Sequence, residues 1–584
     1  MRLLPILLLL LLSQTKLHSQ RLFQHPVFPL IGPEFTLMSD YNSGLFRYQG
    51  SGTLRFRETT NFLRQRRIEL LWSPLQYFSN GFGSYLLAFG HQGLQLSHSA
   101  GQTDASGGYT WTLPKDIMQS IGFQSQWRQQ WKDENRDGFN DYQNGRHHHI
   151  IHNLWHYYRG WGFSVHSTYL NARQYQGQEG FQWPEHQLSD SVYGFGSETE
   201  QWRTLLRARK KYSKGDLNLV ANFQGREENG AYGQRALHAR ETRQGFAANY
   251  QHRETKHESA ALVFAERQQV EQAWDNWRDD QNWSHIGLGL HHQRFLTGNW
   301  LLKASAMIDY HSLTNWQVLP SLRMDYLRIK LLRTSVMAGR DYRIPRILEE
   351  GERYLASQRA WEIGDWQADQ VWFISAGLQS KIYRIGPIQQ QFKVSYRLQD
   401  YQQRLLIDPS LEQQVLVTME DQELPRQHLI ISTLQSQYRK WKWANVFVWR
   451  DVQLPYESGH QQSFFSSRMA SLNSLTFLHR PRERKKQIWD FRLDHLWRSP
   501  QPLPNGDQSP HLQDLRIHVE TGRTITSKGN GRIFLFAGAE NLLNQQQEIL
   551  FQQPSNPFAA DFDGSARWGD TLGRRWYVGV RLQP

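Results

Sequence analysis

The stretch from Trp131 to Ile151 reads WKDENRDGFNDYQNGRHHHII. Asp133, Asn135, Asp137 and Asp141 stand at the first, third, fifth and ninth positions of a calcium-loop spacing, with Gly138 at the sixth. Calcium takes six to eight oxygens, and a glycine at the turn lets a short loop fold back so that they converge. Phe139 would add its backbone carbonyl, which makes Asp133, Asn135, Asp137, Phe139 and Asp141 the candidate metal ligands, with calcium the one candidate cofactor. The twelfth position is Asn144 and not the bidentate Glu of an EF-hand, so modest affinity is expected. The bland alternative is a polar hairpin loop in which Asp and Asn side chains hold turns. His147, His148 and His149 follow. On a strand His147 and His149 share one face, and His148, His152 and His156 the other, a pattern that could chelate a transition metal or simply line a surface.

Two other groups could carry chemistry. The run His479-Arg-Pro-Arg-Glu-Arg-Lys-Lys486 could grip lipopolysaccharide phosphates, or be a solvated turn. Trp274, Trp277 and Trp283 lie among Asp and Asn residues, read as a loop whose indoles stack on sugars or join an interfacial girdle. The chain has no G-x-S-x-G elbow, no H-E-x-x-H and no phosphate loop, so no enzyme activity is expected.

Whatever these residues do, the rest of the chain must position them. It opens MRLLPILLLLLLSQTKLHSQ, a charged start, a short apolar run and a polar region, which reads as a secretory signal peptide over residues 1–19. There is no Cys, so disulfides play no part in an exported protein that could have used them. No later segment is apolar for long enough to span a membrane as a helix. Mean hydropathy is −0.68, yet the chain holds 23 Trp and is 13% aromatic. That combination fits a carbohydrate-binding β protein or an outer-membrane barrel, where only alternate residues touch lipid and aromatics gather at the interfaces. The net charge of +13 suits an anionic surface such as lipopolysaccharide, or only solvated turns, and nucleic acid is excluded as a partner behind a signal peptide.

Strict alternation runs through Phe392-Lys-Val394-Ser-Tyr396-Arg-Leu398, Trp489-Asp-Phe491-Arg-Leu493 and Leu515-Arg-Ile517-His-Val519. Period two means strands with one apolar and one polar face. Turn signals at Asn80-Gly81, Asp104 to Gly108, Asn229-Gly230, Ser458-Gly459, Asn505-Gly506 and Lys528 to Gly531 divide the chain into strand pairs. The longest stretch without a strand pattern is Ile347 to Ile363. Residues 91–584, at about 10 residues per spanning strand plus uneven loops, predict an all-β fold: a single large antiparallel transmembrane β-barrel of about 22 strands. The alternating end Trp576, Val578, Val580, Leu582 is the closing strand.

Four places, in order, make the chain resemble the TonB-dependent outer-membrane receptors of the Bacteroidota. They are Arg67 to Pro74 with Asn80 to Ser84, Asp133 to Asp141 with Asn153-Leu-Trp155, Gly339-Arg-Asp-Tyr-Arg343-Ile-Pro345 with Leu355-Ala-Ser-Gln-Arg359, and Gly538-Ala-Glu-Asn-Leu-Leu-Asn544 with Asn556-Pro-Phe558 and Trp568-Gly569. The resemblance implies a cell outer-membrane protein that binds a ligand and transports it across that membrane, with outer-membrane lipid and lipopolysaccharide around it. The stretch 20–90 is shorter than the family's plug domain and has no recognisable TonB box, which speaks against TonB coupling. It is read as a vestigial plug or as the first strands. The alternative function is a plugless, receptor-derived barrel that scaffolds a periplasmic or surface protein partner, or a passive pore.

Overall fold

The computed structural model describes residues 68–72, 86–89, 92–99, 102–113, 117–133, 135–141, 144–254, 257–297, 299–327, 332–345, 347–380, 382–411, 414–420, 426–459, 464, 467–479, 487–504, 506–524, 532–547, 552–559, 562–564 and 573–583. The signal peptide, the turn signals at Asn80-Gly81 and Lys528 to Gly531, and Trp568-Gly569 lie outside the described residues. Of the stretch 20–90, only Ile68–Trp72 and Leu86–Phe89 are described, both as strands.

From Gln92–Ser99 to Arg575–Gln583, 22 strands pair antiparallel, each with the next along the wall. Ile68–Trp72 joins the two ends: it pairs antiparallel with Arg575–Gln583 and, through Leu70 and Leu71, parallel with Gln92–Ser99. The arrangement satisfies the backbone inside the sheet, which a bilayer demands of anything that crosses it.

One row shows how the sequence builds the wall. Val263, Leu288, Ile308 and Val318 face one another across four neighbouring strands, and each is about half exposed. One residue along, Phe264, Asp309, Met307 and Leu319 are buried. The exposed row is the lipid-facing belt; the buried set faces inward. Gly287 is required in this layer, because a Cβ there would lie 2.4 Å from the Phe264 ring.

The two ends of the barrel differ. At one end the connections are short, as at Arg159-Gly160 and Arg439-Lys440; the closing strand finishes there. At the other end stand the long connections 129–143, 178–193, 344–368, 409–425, 454–468, 499–511 and 541–574. The basic run from His479 joins Met469–His479 to Ile488–Arg498 at the short-turn end, and residues 480–486 lie outside the described residues. Ile347–Ile363 is largely non-strand as expected: a helix over Ile347–Gly351, a 3-10 turn over Glu352–Ala356 and a short strand Ala360–Ile363.

Three sequence expectations need correction. Asp104 to Gly108 lies inside the strand Gln102–Leu113, and Asn229-Gly230 inside Gly215–Tyr232, whose turn comes later at Gly233. Gly230 marks a close approach and not a turn: a Cβ there would meet the Gly196 carbonyl at 2.8 Å. Trp274, Trp277 and Trp283 are not in a loop, because the strands His257–Trp274 and Trp277–Phe295 run up to a two-residue turn.

Candidate functional site

The Asp133–Asp141 loop sits at the long-loop end. Its polar side chains converge on its own backbone. Asp133 accepts from the N–H groups of Asp137 (3.1 Å) and Gly138 (2.9 Å), and Asp137 accepts from Phe139 N–H (2.9 Å) and from Asn135 Nδ2 (2.8 Å). Arg136 at φ 59° and Gly138 at φ 82° make the tight turns between them. Asp141 is buried further along, its N–H donating to the Lys132 carbonyl at 2.6 Å. Phe139 forms a bridge with Gln178 and lies fully buried, its ring 5.9 Å from Phe562 and 6.1 Å from Tyr193. Asp133, Asn135 and Asp137 are therefore brought together, while Phe139 serves as an anchor to neighbouring loops. Among the described residues no three His, Asp or Glu side chains form a metal-ligand group. His147 and His149 do share a face, with rings 6.3 Å apart, and His148 turns to the other, 5.5 Å from the Trp127 ring.

Phe139 leads to a larger construction. The 344–368 connection is rooted near the middle of the wall's strand order, opposite the seam where first and last strands meet. Its contacts reach loops from several sides of the ring. Arg235, beside the turn at Gly233, donates to the carbonyls of Gln358 and Arg359, both at 2.6 Å. The Tyr193 hydroxyl donates to the Ala356 carbonyl at 3.2 Å, and burial pushes its phenol pKa up. Ala360–Ile363 pairs parallel with Gln414–Glu420. The guanidinium of Arg359 is buried, 2.8 Å from the Asp563 carboxylate and 2.6 Å from the Pro409 carbonyl. Gln358 N–H donates to the Phe562 carbonyl and Gly564 N–H to that of Ala356. An apolar cluster of Phe139, Tyr193, Phe195, Tyr232, Trp274, Leu355 and Phe562 fills the space between them. Connections rooted on facing sides of a ring can meet only across its mouth, so these form a cap over the long-loop end.

Below the cap the inner wall carries paired charges. Asp309, fully buried, accepts from His285 at 2.7 Å and from the Tyr342 hydroxyl at 3.0 Å. Arg243 donates to buried Glu266 at 2.8 Å. Asp325 takes Arg323 at 2.9 Å and Arg333 at 3.0 Å. Between the cap and the inner wall lies a cavity of about 690 Å³, lined by Trp277, Asp279 and Gln281 from one strand, Asp365 and Trp366 from the 344–368 connection, and Gln403 from the strand Ile388–Asp408.

The sequence marks the loop and the non-strand stretch Ile347 to Ile363, but not Tyr193, Arg235, Asp563 or the cavity. These are isolated polar residues whose partners are far away along the chain, Arg359 and Asp563 by 204 positions. The motif Leu355 to Arg359 was the one available signal.

No protein-family model and no curated protein matches the chain. Solved structures do. The ferric enterobactin receptor of Pseudomonas aeruginosa is similar at a TM-score of 0.61 and 11% identity, covering 88% of this chain and 80% of that one. The FrpB iron transporter of Neisseria meningitidis gives 0.60 and 12%, covering 91% and 83%. The siderophore receptor PirA of P. aeruginosa gives 0.56 and 10%, covering 89% and 80%. At such identities the likeness is one of architecture, and it agrees with the 22-strand wall and its long-loop end: the chain has the fold of the TonB-dependent outer-membrane receptor barrels.

Proposed function

We propose that the protein is an outer-membrane receptor that binds a ligand beneath the cap and passes it across the membrane through the barrel. The observation that carries this reading is the cap itself. Its connections come from around the ring and close on one buried ion pair, Arg359 with Asp563. A passive pore has no use for such a closure, and a mere scaffold has no use for a cavity between closure and lumen. The long-loop end faces outward on this reading, as it does where barrels keep short turns in the periplasm. The short-turn end, with the basic run after His479, then faces the periplasm, out of reach of lipopolysaccharide.

The experiment compares cells with and without the full chain, by mass spectrometry of the compounds they accumulate from a rich medium. A compound taken up only with the chain supports the receptor, and its loss with a protonophore would place energy coupling on the transport step. No chain-dependent compound, together with a stoichiometric protein partner on purification, would replace the receptor by the scaffold.

A further inference from the structure

We infer that the cavity between Trp277 and Trp366 is a binding site for an organic cation bearing N–H donors, an amine or a guanidinium. The proposal deepens the receptor reading and rests on it. Its basis is a mismatch of charge and of hydrogen-bonding capacity.

The chain as a whole is basic, with a net charge of +13. Several carboxylates elsewhere in the cap and inner wall have cationic neighbours: Glu266 has Arg243, Asp309 has His285, Asp325 has Arg323 and Arg333, and Asp563 has Arg359. The cavity is different. Among the described residues it is lined by Asp279 and Asp365 and by no Lys, Arg or His. Among the described residues neither carboxylate has a cation at ion-pair distance; the Arg278 beside Asp279 turns to Asp280 at 2.9 Å. An anion entering this cavity would meet like charge with nothing to offset it.

The amides sharpen the selection. Gln281 donates its Nε2 to Asp279, at 3.0 and 3.2 Å, and its carbonyl oxygen accepts the Trp283 indole N–H at 2.5 Å. Both ends of Gln281 are thus occupied, and its orientation is fixed. Gln403, which also lines the cavity, donates its Nε2 to the Ala368 carbonyl at 2.7 Å. The two carboxylates are the charged groups of this lining, beside the amides of Gln403 and Gln367 and the indole N–H groups of Trp277 and Trp366. A neutral sugar cannot offset the two negative charges. A protonated amine or guanidinium does so and donates N–H to both carboxylates. The two indoles add a surface that attracts cations and repels anions. Trp277 and Asp279 stand on the barrel wall, whereas Asp365 and Trp366 stand on the cap, so one cation would bridge the two.

The test uses the full chain in detergent micelles, with agmatine, choline, maltotriose and citrate as probes, read by calorimetry and tryptophan fluorescence. Agmatine should bind, more weakly as NaCl is added, and citrate and maltotriose should not. Choline, a cation with no N–H, should bind less tightly than agmatine. Asp365→Asn should weaken agmatine about tenfold, as should Asp279→Asn. Asp365 is exposed in the cap connection, so its variant carries the test if Asp279→Asn fails to fold. Binding of maltotriose or citrate instead, binding of no probe, or unchanged agmatine affinity in Asp365→Asn would overturn the site. Agmatine binding without uptake of any compound by cells would overturn the receptor reading and leave the site standing. Uptake of another compound without agmatine binding would do the reverse.

Discussion

The strands between Trp161 and Phe295 are 17 to 19 residues long, and those between Trp300 and Arg343 are 12 each. About 10 residues cross a bilayer, so the first group overshoots by about 8 residues, or roughly 25 Å. These tall strands join through tight turns, at Gly233 and at Asp275 with φ 53°. On the low side, Arg426–Thr524 keeps to strands of 11 to 13 residues, and the chain crosses the same height as irregular connections. The difference shows two ways of building above a membrane. A tall hairpin satisfies its backbone by itself. An irregular connection cannot, and borrows partners: Arg235 from the tall wall caps three successive carbonyls, Ser357 to Arg359. The tall wall is a backboard and the cap leans on it.

Breaking that dependence should have the largest effect. Arg359→Ala leaves the Asp563 carboxylate and the Pro409 carbonyl without their donor in a buried site, and should cost the cap about 3–5 kcal/mol. Hydrogen exchange is expected to quicken in 344–368 and 541–574, with the hairpin Arg235–Trp274 unchanged. Equal loosening of both would mean that the tall wall depends on the cap. Next in size, Ile308→Arg puts a charge in the lipid-facing row and should destabilise the barrel by about 2–4 kcal/mol if that row lies near the midplane, measured by denaturation in micelles. By contrast Arg278→Ala, on the tall wall above the belt, should cost at most ~1 kcal/mol; a loss as large as that of Ile308→Arg would contradict the division between membrane and overshoot.

The smallest effect concerns the Asp133 loop, which belongs to the cap. Asp133→Ala removes the acceptor for two backbone N–H groups and should cost about 1–2 kcal/mol with or without metal. Calcium at Asp133, Asn135, Asp137, Asp141 and the Phe139 carbonyl is a proposal with its own test. Calorimetric heat of calcium binding that vanishes in Asp137→Ala would support it, and no heat in the unaltered chain would remove it.

Alternation such as Phe392 to Leu398 reports two faces, and a count of residues per strand then leads to the barrel. Ile347 to Ile363 stood out because it lacks that period. The tall wall was misread where glycine and asparagine imitate turns, at Asn229-Gly230, since a glycine opposite a bulky neighbour looks the same as a glycine in a turn. The cavity was illegible because Asp279 and Asp365 come from different parts of the chain, and Trp277 and Trp366 with them. No local period links such residues; only the folding of the 344–368 connection against the tall wall does.

A receptor of this kind needs a mouth closed by the cap. Single-channel recording of the purified full chain in a planar bilayer tests this directly. The expected result is a silent wild-type protein and the appearance of ion flux in Arg359→Ala. Steady conductance through the wild-type protein, unchanged by that substitution, would contradict it.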